Sequence, residues 1–219
     1  MPSLSDRTGR YVVVEGPIGV GKTTLCRLLG RRWGARLLLE EVEENPFLPL
    51  FYRNRKTFAF QTQVFFLLSR FRQQQKIAQL DLFSDRIVSD YMFAKDRIFA
   101  SITLEESELA LYQKLADLLE PRLARPDLVV YLQASVDVLL ARISKRGRYY
   151  ERDISRSYLA QLIEAYNEYF FRLREQAALI VNASYSDLSK EGEALDRLID
   201  AIERHSGGIV TYVSDMTGV

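Results

Sequence analysis

At 219 residues the chain has room for one domain, or for one domain with a lid. Hydrophobic residues make up 47% and charged residues 27%, which excludes a collagen-like or disordered chain. The formal net charge of +1 provides no global field to gather a nucleic-acid polymer, so any cationic function has to be concentrated locally.

The segment Met1–Asp6 lacks the apolar core of a signal peptide, and no run approaches eighteen apolar residues, so a cytoplasmic protein without a membrane span is expected. Tyr11–Val14 is an apolar, β-branched strand. It runs into Gly16-Pro17-Ile18-Gly19-Val20-Gly21-Lys22-Thr23, which fits G-x-x-x-x-G-K-S/T, and a helix-forming stretch, Thr24–Leu29, follows. Cys26 in that helix has no second cysteine to pair with and reads as a small core residue, which suits a reducing compartment. Arg36–Glu40 is a short second strand that ends in the acidic cluster Glu40-Glu41-Val42-Glu43-Glu44. A long helix is predicted over 58–80, with 71–76 as its solvated end. Arg86–Asp90 is a third strand ending in a carboxylate, and residues 105–120 read as a helix. Pro126–Leu132 is a fourth strand. Ser135 then caps a helix that carries Arg142, Lys145 and Arg146, with Arg148 just beyond. A helix over 155–175, a fifth strand at Ala178–Asn182 and a helix over 187–204 complete the alternation. His205 reads as a surface residue, and 206–219, with its paired glycines, as a tail outside a domain of residues 1–205. Strands alternating with helices predict a parallel sheet covered on both faces, with the ligand at the carboxyl ends of the strands.

The glycine-rich stretch, standing between a strand and a helix, is a phosphate site. Its N–H groups converge on an anion, and the following helix adds its positive end. Gly16, Gly19, Gly21, Lys22, Thr23 and Thr24 are the expected nucleotide contacts. Lys22 reaches the β- and γ-phosphates, while Thr23 with Asp90 serves Mg²⁺. A carboxylate at the end of the second strand suits an acceptor hydroxyl that has to be oriented and deprotonated, although strand alternation does not choose between Glu40 and Glu41. Arg142, Arg146 and Arg148 supply cations for charge developing on phosphate oxygens. Gln63, Phe66 and Arg70 follow helical spacing, which suits a pocket that stacks a planar ring and reads its edge, and equally suits a core stripe with polar edges.

With these motifs in hand, the chain resembles the deoxynucleoside kinase family from about Tyr11 to Leu198, and within it the bacterial deoxyadenosine and deoxyguanosine kinase branch. The resemblance rests on residues 15–24, on Glu-Glu-Val-Glu-Glu-Asn-Pro-Phe at 40–47, on Phe-Gln-Thr-Gln at 60–63 with Leu-Ser-Arg at 68–70, on Lys-Asp-Arg-Ile-Phe-Ala at 95–100 and on Arg-Gly-Arg at 146–148. It implies a P-loop kinase with a five-stranded parallel sheet in the order 2-3-1-4-5 and an arginine-rich lid over about 142–155. The implied reaction is ATP-dependent phosphorylation of a deoxyribonucleoside 5′-hydroxyl in nucleotide salvage, with purines favoured and deoxyadenosine first, by a homodimer. Glu40 matches the general base. Tyr52 and Glu151 match the ligands of the sugar 3′-hydroxyl, and Gln63, Arg70 and Asp96 match the groups that read the base. The family's acidic residue after the third strand is usually followed by arginine. Here Tyr91 follows Asp90, and Lys95, four residues on, is expected to supply the charge. The rival readings are a nucleoside monophosphate kinase, which the acidic 40–44 segment disfavours because it repels an acceptor phosphate, and a nucleotide-dependent switch.

Overall fold

The computed structural model describes residues 10–80, 86–173, 176–184, 188 and 190–213, so the Met1–Asp6 segment read above lies outside the described residues. β1 (Arg10–Glu15) occupies the centre of the sheet because it is apolar towards both faces. Val12 and Val14 enter one hydrophobic core together with Leu25, Leu29, Leu139 and Leu198. Tyr11 and Val13 enter another, with Tyr131, Tyr166 and Phe170. Such two-sided burial is the condition for a parallel sheet. β1 pairs with β3 (Arg86–Ser89) and β4 (Leu128–Gln133), β3 with β2 (Arg36–Leu38), and β4 with β5 (Ala178–Asn182), every pair parallel. Helices α1 (Lys22–Trp33), α6 (Val136–Arg146) and α8 (Glu193–Arg204) send apolar side chains into the first core, and α4 (Lys95–Thr103) and α7 (Arg156–Arg172) into the second. α2 (Leu48–Arg53) precedes α3 (Arg55–Leu80), and α3 packs on α2, α4 and α5 (Glu106–Leu119).

The first five strands follow the order 2-3-1-4-5, but the sheet has six. β6 (Ile209–Tyr212) adds in parallel to β5, with Ala178 opposite Ile209. Part of the segment assigned to a tail therefore belongs to the sheet, while 214–219 lies outside the described residues. His205 is buried rather than on the surface. Its Nδ1 accepts the Gly207 N–H at 3.2 Å, within the Gly207–Gly208 turn that leads into β6. The last helix begins at Glu193, later than expected. Within 71–76, Arg72 and Gln75 are exposed as a solvated end requires, but Gln73 and Gln74 are not. Gln73 and Gln74 are buried because α3 is enclosed by its neighbours, and Gln73 satisfies its amide on Tyr91 and on the Leu39 carbonyl. α6 closes at Gly147, so the arginine-bearing segment outside regular helix is 147–155, containing a 3-10 turn at Tyr149–Glu151.

Ending the chain at His205 should cost about 1–2 kcal/mol, roughly 2–8 °C in Tm, because β6 contributes edge hydrogen bonds and its residues stay largely exposed. The shortened protein should also aggregate more readily, since the apolar edge of β5 would be uncovered. Calorimetry and light scattering on the truncated chain check both effects.

Candidate functional site

The carboxyl ends of β1, β2 and β3 open on one cavity of about 460 Å³. Its donor side is the loop between β1 and α1. At Gly16 (φ 149°) a Cβ would lie 2.4 Å from the Leu132 carbonyl oxygen, so only glycine lets the chain turn there. Gly19 and Gly21 also take positive φ, and Gly21 is the N-cap from which α1 rises. The Lys22 ammonium donates to the Gly16 and Pro17 carbonyls at 2.8 and 3.1 Å, folded back over the loop it belongs to. Burial, with the Lys95 ammonium nearby, brings Lys22 down to about 8. The Thr23 hydroxyl donates to Asp90 Oδ2, and Thr24 is exposed on the first turn of α1.

The acceptor side is built on Glu40. Asp90 Oδ1 accepts the Glu40 N–H at 2.8 Å, so the ends of β2 and β3 are tied together directly behind the side chain. Glu40 Oε1 accepts from Arg70 Nε at 2.8 Å and from Arg70 Nη2, and Glu40 Oε2 accepts from Lys95 Nζ at 2.5 Å. Burial alone would raise the Glu40 carboxyl. The Arg70 and Lys95 cations outweigh it and hold the group well below the usual carboxylate range. Strand alternation leaves Glu40 and Glu41 open and the resemblance points to Glu40; here Glu40 is the one paired with two cations, whereas Glu41, like Glu43 and Glu44, is exposed.

Arg70 also pairs through Nη1 with Asp96 Oδ1, and its guanidinium lies 4.7 Å from the centre of the Phe66 ring. Asp96 is fully buried and its Oδ2 has no hydrogen-bond partner among the described residues. Burial pushes this carboxyl up to about 6 against the pull of Arg70. Gln63, also buried, donates from Nε2 to Thr103 Oγ1 at 3.2 Å. Tyr52 stacks on Tyr150 with ring centres 5.9 Å apart. Glu151 is buried and takes both of its oxygens to Arg146 Nη2, at 2.7 and 2.6 Å, while Arg148 reaches Glu151 at 3.7 Å and Glu43 at 3.3 Å. Arg146 and Arg148 line the cavity. Arg142 does not line it. Its guanidinium is spent on the Val20 and Ala183 carbonyls at 2.9 and 2.8 Å, where it braces the phosphate loop from outside. Helical spacing puts Arg142 and Arg146 on one face, but a reach of several ångströms lets the two heads serve different partners.

Tyr91 points inward. It is fully buried, its hydroxyl donates to Gln73 Oε1 at 2.8 Å, and Lys95 holds the Glu40 oxygen in its stead. Sequence reasoning missed Tyr150, for which no local signal exists. It also passed over the roles of Thr103 and Glu15, the latter marked only by being a carboxylate that ends an apolar strand.

The family described as deoxynucleoside kinase matches residues 12–206. A Bacillus subtilis protein named deoxyguanosine kinase is 40% identical over 169 residues, 77% of this chain and 82% of the relative. A Lactobacillus acidophilus protein named deoxyadenosine kinase is 31% identical over 208 residues, 89% of this chain and 95% of the relative. Among solved structures, a deoxyadenosine kinase from M. mycoides with dCMP and a flexible dCDP bound superposes with a TM-score of 0.78, covering 88% of this chain and 98% of that chain. At 24% identity this likeness concerns the fold.

Lys95→Ala should lower kcat by about 10- to 100-fold with little change in the KM for nucleotide, because it removes a cation beside the reacting groups. Tyr91→Arg should not rescue it, since the new guanidinium would be buried close to that of Arg70, whose Cζ lies 5.9 Å from the Tyr91 ring centre. Steady-state kinetics and thermal unfolding of the single and double variants decide this, and a wild-type kcat for Lys95→Ala would return Lys95 to a structural role.

Proposed function

The chain belongs to the deoxynucleoside kinase family and is a phosphotransferase that phosphorylates a deoxynucleoside, and we propose that it moves the γ-phosphoryl of ATP to the 5′-hydroxyl of a purine deoxyribonucleoside, deoxyadenosine first. The observation that carries this reading is Glu40. A carboxylate kept ionised by two cations lies in the same cavity as Lys22 and Thr23. Phosphoryl transfer needs positioning and electrostatic stabilisation more than covalent chemistry, and this arrangement supplies both.

Lys22 and the N–H groups of the phosphate loop hold the donor. The 5′-hydroxyl donates to Glu40 Oε2 in the place the Lys95 ammonium takes, and that ammonium then faces the oxygens of the phosphoryl in transit. Glu40 receives the hydroxyl proton as the new bond forms. Arg146 and Arg148 close the phosphate side and exclude water, the competing acceptor. Tyr52 and Glu151 fix the sugar through its 3′-hydroxyl. A magnesium ion prefers oxygen ligands and keeps several waters. The Thr23 hydroxyl and Asp90 Oδ2, already in contact, are two such oxygens beside the phosphate loop and fit the ion, whose charge would offset that of the phosphates. Phe66 stacks the base, and Gln63, Arg70 and Asp96 read its edge. Adenine presents an acceptor, N7, next to a donor, the N6 amino group, whereas guanine presents two acceptors. A guanidinium beside an ionised carboxylate is complementary to the first pattern. The homodimer carries over from the resemblance, and a cytoplasmic location suits the buried free Cys26. No described helix is long and apolar enough to cross a membrane.

Turnover of the four deoxyribonucleosides with ATP and with GTP tests the reading. Deoxyadenosine should have the highest kcat/KM, and Arg70→Ala should compress the spread among the four, because a buried polar edge is then left unpaired. The pH adds a sharper check. Asp96 is ionised above about 6 and protonated below it. A protonated Asp96 donates a hydrogen bond from one oxygen where the ionised form only accepts, so the ratio of deoxyadenosine to deoxyguanosine turnover should fall as the pH drops through about 6. Asp96→Asn should flatten that dependence. A ratio constant between pH 5 and 8 would remove Asp96 from base recognition.

A further inference from the structure

Glu15 is the last residue of β1 and is completely buried. Taking a carboxylate out of water is costly unless its oxygens are bonded, and Glu15 has three donors. Oε1 accepts the Gly16 N–H at 2.8 Å and the Tyr166 hydroxyl at 3.0 Å, and Oε2 accepts the Met92 N–H at 2.9 Å. Gly16 opens the phosphate loop. Met92 lies between Asp90, which touches Thr23 and holds the Glu40 backbone, and Lys95, which holds the Glu40 side chain. The Met92 carbonyl in turn accepts the Lys95 N–H at 3.1 Å. One carboxylate thus bridges the loop that binds the donor and the turn that carries the groups preparing the acceptor.

Electrostatics gives only part of a reason for it to be there. A negative charge one residue before a loop built for phosphates opposes their binding, and among the buried groups it only partly serves to keep Lys22 charged. Its value has to be geometric. We propose that Glu15 is a positioning residue for phosphoryl transfer: its two oxygens fix the distance between the phosphate loop and the Asp90–Lys95 turn, so that the γ-phosphoryl and the hydroxyl at Glu40 meet in line. Glu15 touches neither substrate and acts through the two backbone N–H groups. Displacement of reacting groups by about 1 Å is enough to cost about 10²-fold in rate. The inference rests on the kinase reading above and deepens it.

Two substitutions separate bridging from charge. Glu15→Gln keeps the shape and loses one acceptor. With its carbonyl towards Gly16 the amide N–H₂ meets the Met92 N–H, and with its carbonyl towards Met92 it meets the Gly16 N–H, so one tether is always lost. Glu15→Asp keeps the charge and loses the reach. Both should lower kcat per folded molecule by about 10- to 100-fold, with the KM for ATP within about twofold of wild type or lower, and with the protein still folded at the assay temperature by thermal unfolding. The proposal is overturned if either folded variant keeps kcat within about twofold, or if the loss appears in the KM for ATP alone, which would make Glu15 a donor-binding residue. It is equally overturned if the lost rate matches the unfolded fraction or neither variant folds, which would make it a stability residue. The kinase reading is judged separately on the wild-type chain and Lys22→Ala. Deoxynucleoside phosphorylation by the first and not the second sustains that reading whatever Glu15 does, and its absence from wild type would remove both.

Discussion

Glu40 is a carboxylate that the fold withdraws from water and then pairs on both oxygens, and much of the architecture follows from meeting that demand. Arg70 has to arrive from α3, Lys95 from the first turn of α4, and the backbone N–H of Glu40 itself has to be held by Asp90 from the end of β3. Arg70 is buried as well and requires a second anion, which Asp96 provides. Removing any single partner leaves an uncompensated buried charge, which is far more costly than never having built the pair. The cluster is therefore held from four elements at once, and its geometry is over-determined before any substrate arrives. That is what an active site relying on positioning requires.

The same pairing sets a chemical tension. Two cations make Glu40 a stable anion and consequently a weak base in the arrangement seen here. In the proposed reaction it becomes a better proton acceptor when one cation turns to a different negative charge. The oxygens of a phosphoryl group being transferred are such a charge, and they appear at the moment the hydroxyl proton has to leave. Basicity at Glu40 and stabilisation of the phosphoryl can thus rise together through Lys95, without a separate conformational signal.

How much of this was legible depended on the range over which each signal acts. The phosphate loop could be read because its glycines answer a local steric requirement, visible at Gly16 as a carbonyl oxygen where a Cβ would stand. The first five strands were legible because apolar runs alternate with helical spacing, whereas their order in the sheet came only with the family resemblance. Glu40 and Glu41 could not be separated by alternation: β2 is three residues long and stops at Leu38, so the alternation ends before it reaches them, and only the tertiary positions of Arg70 and Lys95 decide. Gln73 and Gln74 looked solvated because three consecutive amides are polar, yet α3 is covered on several sides and buries both, Gln73 with partners far away in sequence. β6 was hidden for the opposite reason. Ile209–Tyr212 has strand-like residues, but four of them beyond a pair of glycines carry no periodicity of their own, and the edge of β5 is what recruits them.

The exchange of arginine for tyrosine after Asp90 is best understood as one part of a coupled set. Position 91 faces the interior. Tyrosine fills that space, and its hydroxyl finds Gln73, whose amide in turn holds the Leu39 carbonyl one residue before Glu40. The volume and the hydrogen bonds at this site support the backbone of the catalytic segment from behind. In the proposed reaction the charge that an arginine there would have supplied comes instead from Lys95, which enters from the next helix and meets Oε2 of Glu40. An ammonium is a compact point charge with three donors, suited to one oxygen, while the guanidinium fork of Arg70 spans the other oxygen and Asp96. Support and charge, which one residue could have combined, are here divided between Tyr91 and Lys95. The division leaves the ammonium free to change partners while the tyrosine keeps the strand end fixed.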